Sequence, residues 1–90
     1  MHAKRQAAQI TLKKAHSLLA RIQKMLDDDA YCIDVMQQNL AAIGLLKSAH
    51  QQLMEDHLAH CFAEAMRADD PATKARMTEE ILTVTKLAGR

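Results

Sequence analysis

Apolar residues recur at helical spacing along three stretches of this chain, and no stretch carries the alternation of a half-buried strand. In the first, Ala15, Leu18, Leu19, Ile22, Met25 and Leu26 form one stripe of a helix predicted over about residues 3–26. Lys13, Lys14, Arg21 and Lys24 fall mainly off that stripe. Asp27, Asp28 and Asp29 then break the pattern. Acids at that point suit the start of a second helix, as caps and as partners for its positive dipole end. The second helix is predicted over about residues 30–67, with no proline inside it. Along it Met36, Ile43, His50 and His57 repeat at heptad spacing, as do Leu40, Lys47, Met54 and Cys61. Val35, Ala42, Leu46, Ala49 and Leu53 add a second apolar edge, so this helix needs cover from more than one neighbour. Asp69, Asp70 and Pro71 end it and open a third helix over about residues 72–87, with Pro near the first helical position. Met77, Ile81, Leu82 and Val84 supply the apolar side of the third helix.

The expected fold class is all-α: a three-helix protomer with a long central helix. Ninety residues make one small domain, spanning 1–90, with a thin core of its own. The aromatic residues are Tyr31 and Phe62, while Ala, Leu, Met, Gln and Lys abound, which is a helical composition. Chains of this kind gain stability by burying more surface in an oligomer, so an antiparallel helix-bundle dimer is expected. No apolar run is long enough to span a bilayer, and the basic start lacks the apolar stretch of a signal peptide. The expected location is therefore the cytoplasm, where the two cysteines stay reduced.

Charge is unevenly spread. Six of the twelve basic residues, Lys4, Arg5, Lys13, Lys14, Arg21 and Lys24, precede residue 27, and all eleven acids follow. A basic first helix of this kind suits an anionic partner such as nucleic acid.

Cys32, His57 and Cys61 carry the chemistry. His57 and Cys61 stand four apart, one above the other on a helix face. Two thiolates and an imidazole are a soft ligand set that suits Cu(I), or zinc with a fourth ligand from His60 or Glu80. His2, His16, His50 and His60 read as ordinary surface or satisfied side chains, with His60 a competitor for metal. Cys32 is 25 residues from His57. Along one helix at ~1.5 Å per residue that is roughly 37 Å, too far for one ion. Two copies of the helix packed antiparallel remove the conflict, because residues equidistant from the two-fold axis then face each other. Setting Cys32 opposite the point between His57 and Cys61 puts that axis near residue 45, beside Gly44. Glycine costs about 1 kcal/mol in a helix interior, so a close crossing there, flanked by Ala41 and Ala42, is one reason for it; a merely tolerated glycine is the other.

These residues resemble the copper-sensitive operon repressor (CsoR) family. The resemblance covers nearly the whole chain and rests on Ala30-Tyr31-Cys32-Ile33-Asp34-Val35-Met36, on Asp56-His57-Leu58-Ala59-His60-Cys61, and on their separation. It implies an all-helical dimer of dimers, a homotetramer, with a Cys from one subunit and a His-x3-Cys from its partner. Branches that answer nickel or cobalt, formaldehyde, or persulfide differ at these ligands, and Cys32, His57 and Cys61 together look like the Cu(I) branch. The resemblance also implies a second layer of groups around the metal, Tyr31 beside the first cysteine and Glu80 on the last helix. An acceptor on the free imidazole nitrogen would fix the tautomer of His57.

DNA-binding members carry an Arg, a Gly and a Gln or His where this chain has Thr11, Ser17 and Leu18, and an Arg where it has Ser48. Each Arg-to-neutral change removes a phosphate contact. Lys4, Arg5, Lys13, Lys14, Arg21 and Lys24 remain as a basic surface that supports phosphate contact without reading sequence. The expected function is a Cu(I)-responsive repressor that leaves operator DNA when Cu(I) binds. The alternatives are a copper buffer or carrier without DNA binding, and a thiol or persulfide sensor using Cys32 and Cys61. An enzyme is not expected, because the Cys–His pair lacks an orienting third group.

Overall fold

Four α-helices and one π-helical turn make up the protein in a computed structural model that describes residues 3–89, so His2 and Arg90 lie outside the described residues. Among these residues α1 spans Ala3–Asp27, α2 Cys32–Asp56, a π-helix His57–Phe62, α3 Ala63–Arg67 and α4 Pro71–Ala88. The contacts divide the chain between Asp56 and His57 into two units.

The first unit is an antiparallel hairpin of α1 and α2. Ala8, Ala15, Leu18 and Ile22 are the buried positions of α1, spaced to stay on one face. Ala42, Ala49 and Asp56 do the same for α2, seven residues apart. Leu18, Ile22 and Ala42 form the core, with half-buried Val35 and Leu45 against them. Small residues on both sides let the helices approach closely, and the resulting core is thin.

The link between α1 and α2 corrects one expectation. Asp29 does not cap α2; it ends α1. Its φ of 55° is left-handed. The Ala30 amide donates to the Met25 carbonyl at 2.9 Å and the Asp29 amide to Leu26 at 3.2 Å, the two bonds of a Schellman stop. A short polar side chain tolerates that conformation better than a bulky one. Asp34 supplies the acid in the first turn of α2.

The second unit holds the π-helix, α3 and α4. The predicted second helix is here three consecutive segments, since the ladder widens by one residue per turn over His57–Phe62 and returns to α over Ala63–Arg67. Neither proline nor glycine lies in that turn. Ala68 leaves the helix in extended conformation. Asp70 then caps α4, accepting from the Ala72 amide at 3.2 Å and from the Thr73 hydroxyl at 2.6 Å, with Pro71 at its start.

Candidate metal centre

The three predicted ligands are placed by different elements. Cys32 is the first residue of α2, a free and exposed thiol. Tyr31 precedes it, its side chain exposed and its carbonyl accepting from the Val35 amide at 3.2 Å. His57, half-buried, is the first residue of the π-helix, and Cys61, free and exposed, is its fifth. The π-turn therefore contains both the imidazole and the thiol of the His-x3-Cys pair. Widened turns of this kind are costly and concentrate at functional sites. Nothing in the sequence marks this one.

Twenty-five residues of α2, at ~1.5 Å each, make a rod roughly 37 Å long with Cys32 at one end. The π-helix begins only after the other end. Among the described residues no group of three or more His, Cys, Asp or Glu side chains is placed to hold a metal ion. One face of α2 between those ends is bare: Ile33, Met36, Leu40 and Ile43 are exposed, Leu40 at 65% and Met36 at 58%. Leu12, Leu19 and Leu26, at heptad spacing on α1, are exposed as well. The hairpin thus buries one stripe of each helix and leaves a second uncovered.

Glu80 stands on α4, exposed, with the Arg76 guanidinium 3.9 Å away as its ion-pair partner. Gly44 faces open space, and an added Cβ would meet nothing within 4 Å. No contact within the chain requires glycine there.

The predicted basic residues are all exposed on α1. Lys13, Lys14 and Arg21, with Ile10 and Ser17, line a shallow groove of about 370 Å³. Lys24 pairs with Asp28 at 3.1 Å and Lys4 with Glu55 at 2.9 Å. Two of the four positions singled out for DNA contact, Thr11 and Leu18, are used otherwise. The Thr11 hydroxyl lies 3.0 Å from both the Ala7 carbonyl and the Gln52 side-chain oxygen. Leu18 is buried in the hairpin core. Ser17 lines the groove and Ser48 is exposed.

Two features were not anticipated. Asp56 is buried at 4% exposure immediately before His57. Its position seven residues after Ala49 and fourteen after Ala42 carried that signal. The Lys4–Glu55 pair joins residues far apart in sequence, and periodicity gives no sign of it.

Comparison with known proteins places these residues in context. A family described as metal-sensitive transcriptional repressor matches residues 4–86. The copper-sensing transcriptional repressor RicR of Mycobacterium tuberculosis is 29% identical over 76 residues, covering 84% of this chain and 79% of that protein. The copper-sensing transcriptional repressor CsoR of Bacillus subtilis is 36% identical over 59 residues, covering 66% of this chain and 58% of its own length. The match thus spans less than two thirds of that relative. The crystal structure of CsoR with Cu(I) from Geobacillus thermodenitrificans superposes with a TM-score of 0.83 at 29% identity, covering 94% of this chain and 85% of that one.

Proposed function

The chain belongs to the metal-sensitive transcriptional repressor family, and on that premise we propose that it is a copper sensor that represses transcription, not an enzyme. In the apo form it binds operator DNA through the exposed bases of α1. Cu(I) held between subunits by Cys32 of one and by the partner's His57 and Cys61 favours a weakly binding state, and the DNA is released.

One observation carries the reading. The two ends of α2 present soft donors or lead straight into them, and the face from Ile33 to Ile43 between them is apolar and bare. A second copy laid antiparallel across that face buries it and brings Cys32 to the partner's π-turn. A symmetric dimer then holds two such sites, and pairs of dimers make the homotetramer. The donor set fits the ion: both thiols are free and exposed, so each is accessible to a metal, and the set is soft. Bound there, Cu(I) supplies the link between two chains. Tyr31 and Glu80 are assigned to orient the ligands, Glu80 exchanging the distant Arg76 guanidinium for the imidazole N–H. Release requires different Cu(I) affinities in the two states, commonly ~1–3 kcal/mol of coupling. Among the described residues no helix is long and apolar enough to cross a membrane. The operator, and so the working location, is cytoplasmic.

A second reading has a specific observation behind it. Leu18 is spent on the core and Thr11 on its bonds to Ala7 and Gln52, so neither meets DNA. A copper-binding member without DNA affinity, acting as buffer or carrier, follows from that. Fluorescence anisotropy with DNA from upstream of its own operon separates the two. Repression predicts apo binding at low salt and release at one Cu(I) per chain. No affinity for any DNA at low salt sinks it and leaves the carrier.

A further inference from the structure

The stripe of α2 that holds this bare face runs on to half-buried Met54. Ile33, Leu40, Lys47 and Met54 occupy one heptad position, and Met36, Ile43 and His50 the other. In an antiparallel pair, residues equally distant from the centre face each other. Centred on position 45, Met36 meets the partner's Met54, Leu40 the partner's His50, and Ile43 the partner's Lys47. That centre is the one that sets Cys32 against the partner's His57 and Cys61, and the heptad positions of α2 are compatible with it. The exposure of Met36 and Leu40 in the single chain is what such a register would cover.

That register puts two thioethers opposite each other at each end of the interface. Met36 lies four residues beyond Cys32 on the same straight α-helix, hence one turn away on nearly the same face. We propose that Met36 and the partner's Met54 form a second soft-metal site, a thioether pair one helical turn inward from Cys32, that takes Cu(I) after the Cys–His–Cys set is filled. The reasons are chemical. Thioether sulfur is a neutral, polarizable donor that selects Cu(I) over harder ions, and methionine is flexible enough to adapt its geometry to a bound ion. Binding two neutral sulfurs displaces no proton, so loading needs no deprotonation. Without thiolate charge the pair binds more weakly than Cys32 with its partners, and fills second.

This inference rests on the antiparallel dimer proposed above, and the test separates the two. Full-length protein carrying ¹³C-methyl methionine is titrated with Cu(I) under anaerobic conditions past one equivalent per chain, with sedimentation run alongside. The expected result is a dimer or larger whose Met36 and Met54 methyl resonances move together beyond the first equivalent, while those of Met25, Met66 and Met77 stay. In the double variant Met36→Leu, Met54→Leu, which conserves volume and costs little in packing, the second equivalent is lost and the first retained. A monomer in sedimentation overturns the dimer beneath the proposal. A dimer that binds one Cu(I) per chain with unmoved Met36 and Met54 methyls overturns the thioether site alone, leaving the pair as packing.

Discussion

The Lys4 ammonium lies 2.9 Å from the Glu55 carboxylate, joining the first turn of α1 to the last turn of α2, two residues before His57. A cation expected on the DNA face is thus engaged with the helix that leads into the proposed metal ligands. The hydrogen bond from Lys4, then that from Gln51, then the Lys4 charge hold the Glu55 carboxyl below its ordinary range. A depressed folded-state pKa means a contribution fully present above the unfolded value of 4.5 and lost as pH falls through the lower folded value. Lys4→Gln is expected to return the Glu55 titration toward 4.5, followed by NMR of the side-chain carboxyl. The pair is exposed, so high salt should erase most of the difference. The same substitution should lower the salt slope of DNA binding by about 1 if Lys4 also meets a phosphate.

Ile22 tests the hairpin core. It is buried with Leu18 and Ala42, and half-buried Val35 and Leu45 pack against them. Ile22→Ala should cost about 2–5 kcal/mol, nearer the lower figure because a thin core collapses easily around the gap. Urea unfolding at one fixed protein concentration measures it, since stability of an oligomer depends on concentration. A loss below about 0.5 kcal/mol would mean that the hairpin is held chiefly from outside.

Gly44 gives a test with opposite signs. Within the chain an added methyl meets nothing, so Gly44→Ala should stabilise an isolated helix by about 1 kcal/mol. At a close crossing with a second α2 the same methyl obstructs the approach and weakens the dimer. Sedimentation across a dilution series reads association and thermal unfolding reads the helix. Stronger helix with weaker dimer is the expected combination; unchanged association would mean that the crossing lies elsewhere.

Periodicity made the helices legible because each stripe has a core to face. The end of α1 was legible as a break at Asp27–Asp29, but the sequence does not say whether an aspartate serves the helix before or after it. The Asp29 φ of 55° decides for the helix before. Asp70-Pro71 was unambiguous, since Pro fits a first turn and not an interior. The π-turn over His57–Phe62 was invisible, because one extra residue per turn leaves composition and spacing unchanged. The proposed ligand set rests on spacing and softness in the sequence, and within the single chain those residues belong to different elements. The roles of Thr11 and Leu18 could not be read there, since whether a first-helix residue faces α2 or solvent depends on the hairpin register.

Asp70 should govern the start of α4 as a function of pH. The Thr73 hydroxyl is the main cause of its lowered pKa, opposed by desolvation and aided by the amides of Thr73 and Ala72 and the Arg76 charge. Its contribution is present above the unfolded value of 3.8 and lost as pH falls below it. Amide exchange at Ala72, Thr73 and Lys74 is expected to quicken, beyond its intrinsic pH dependence, as pH drops through that range. In Asp70→Ala these amides should already exchange fast at neutral pH, without the extra step in acid. Protection that is the same in both proteins would show that Pro71 alone starts the helix.

His57 separates a metal sensor from a thiol sensor. Both readings use Cys32 and Cys61, which are free and exposed; only the metal reading needs the imidazole. With His57→Ala the Cu(I) ion keeps two thiolates of opposite chains and loses its nitrogen donor, which X-ray absorption should report as one fewer nitrogen scatterer. DNA release by Cu(I) should then weaken at least about tenfold, the scale on which even outer partners of a metal site act. Response to a disulfide- or persulfide-forming oxidant should be unaffected, because sulfur–sulfur bond formation between Cys32 and the partner's Cys61 does not involve the ring. The opposite pattern, release by oxidant intact and release by Cu(I) absent in the unaltered protein, would assign the pair to thiol chemistry. The π-turn supplies a further check. His57 and Cys61 both sit inside it, so metal bound by both should slow amide exchange across residues 57–62 in the unaltered protein and not in His57→Ala.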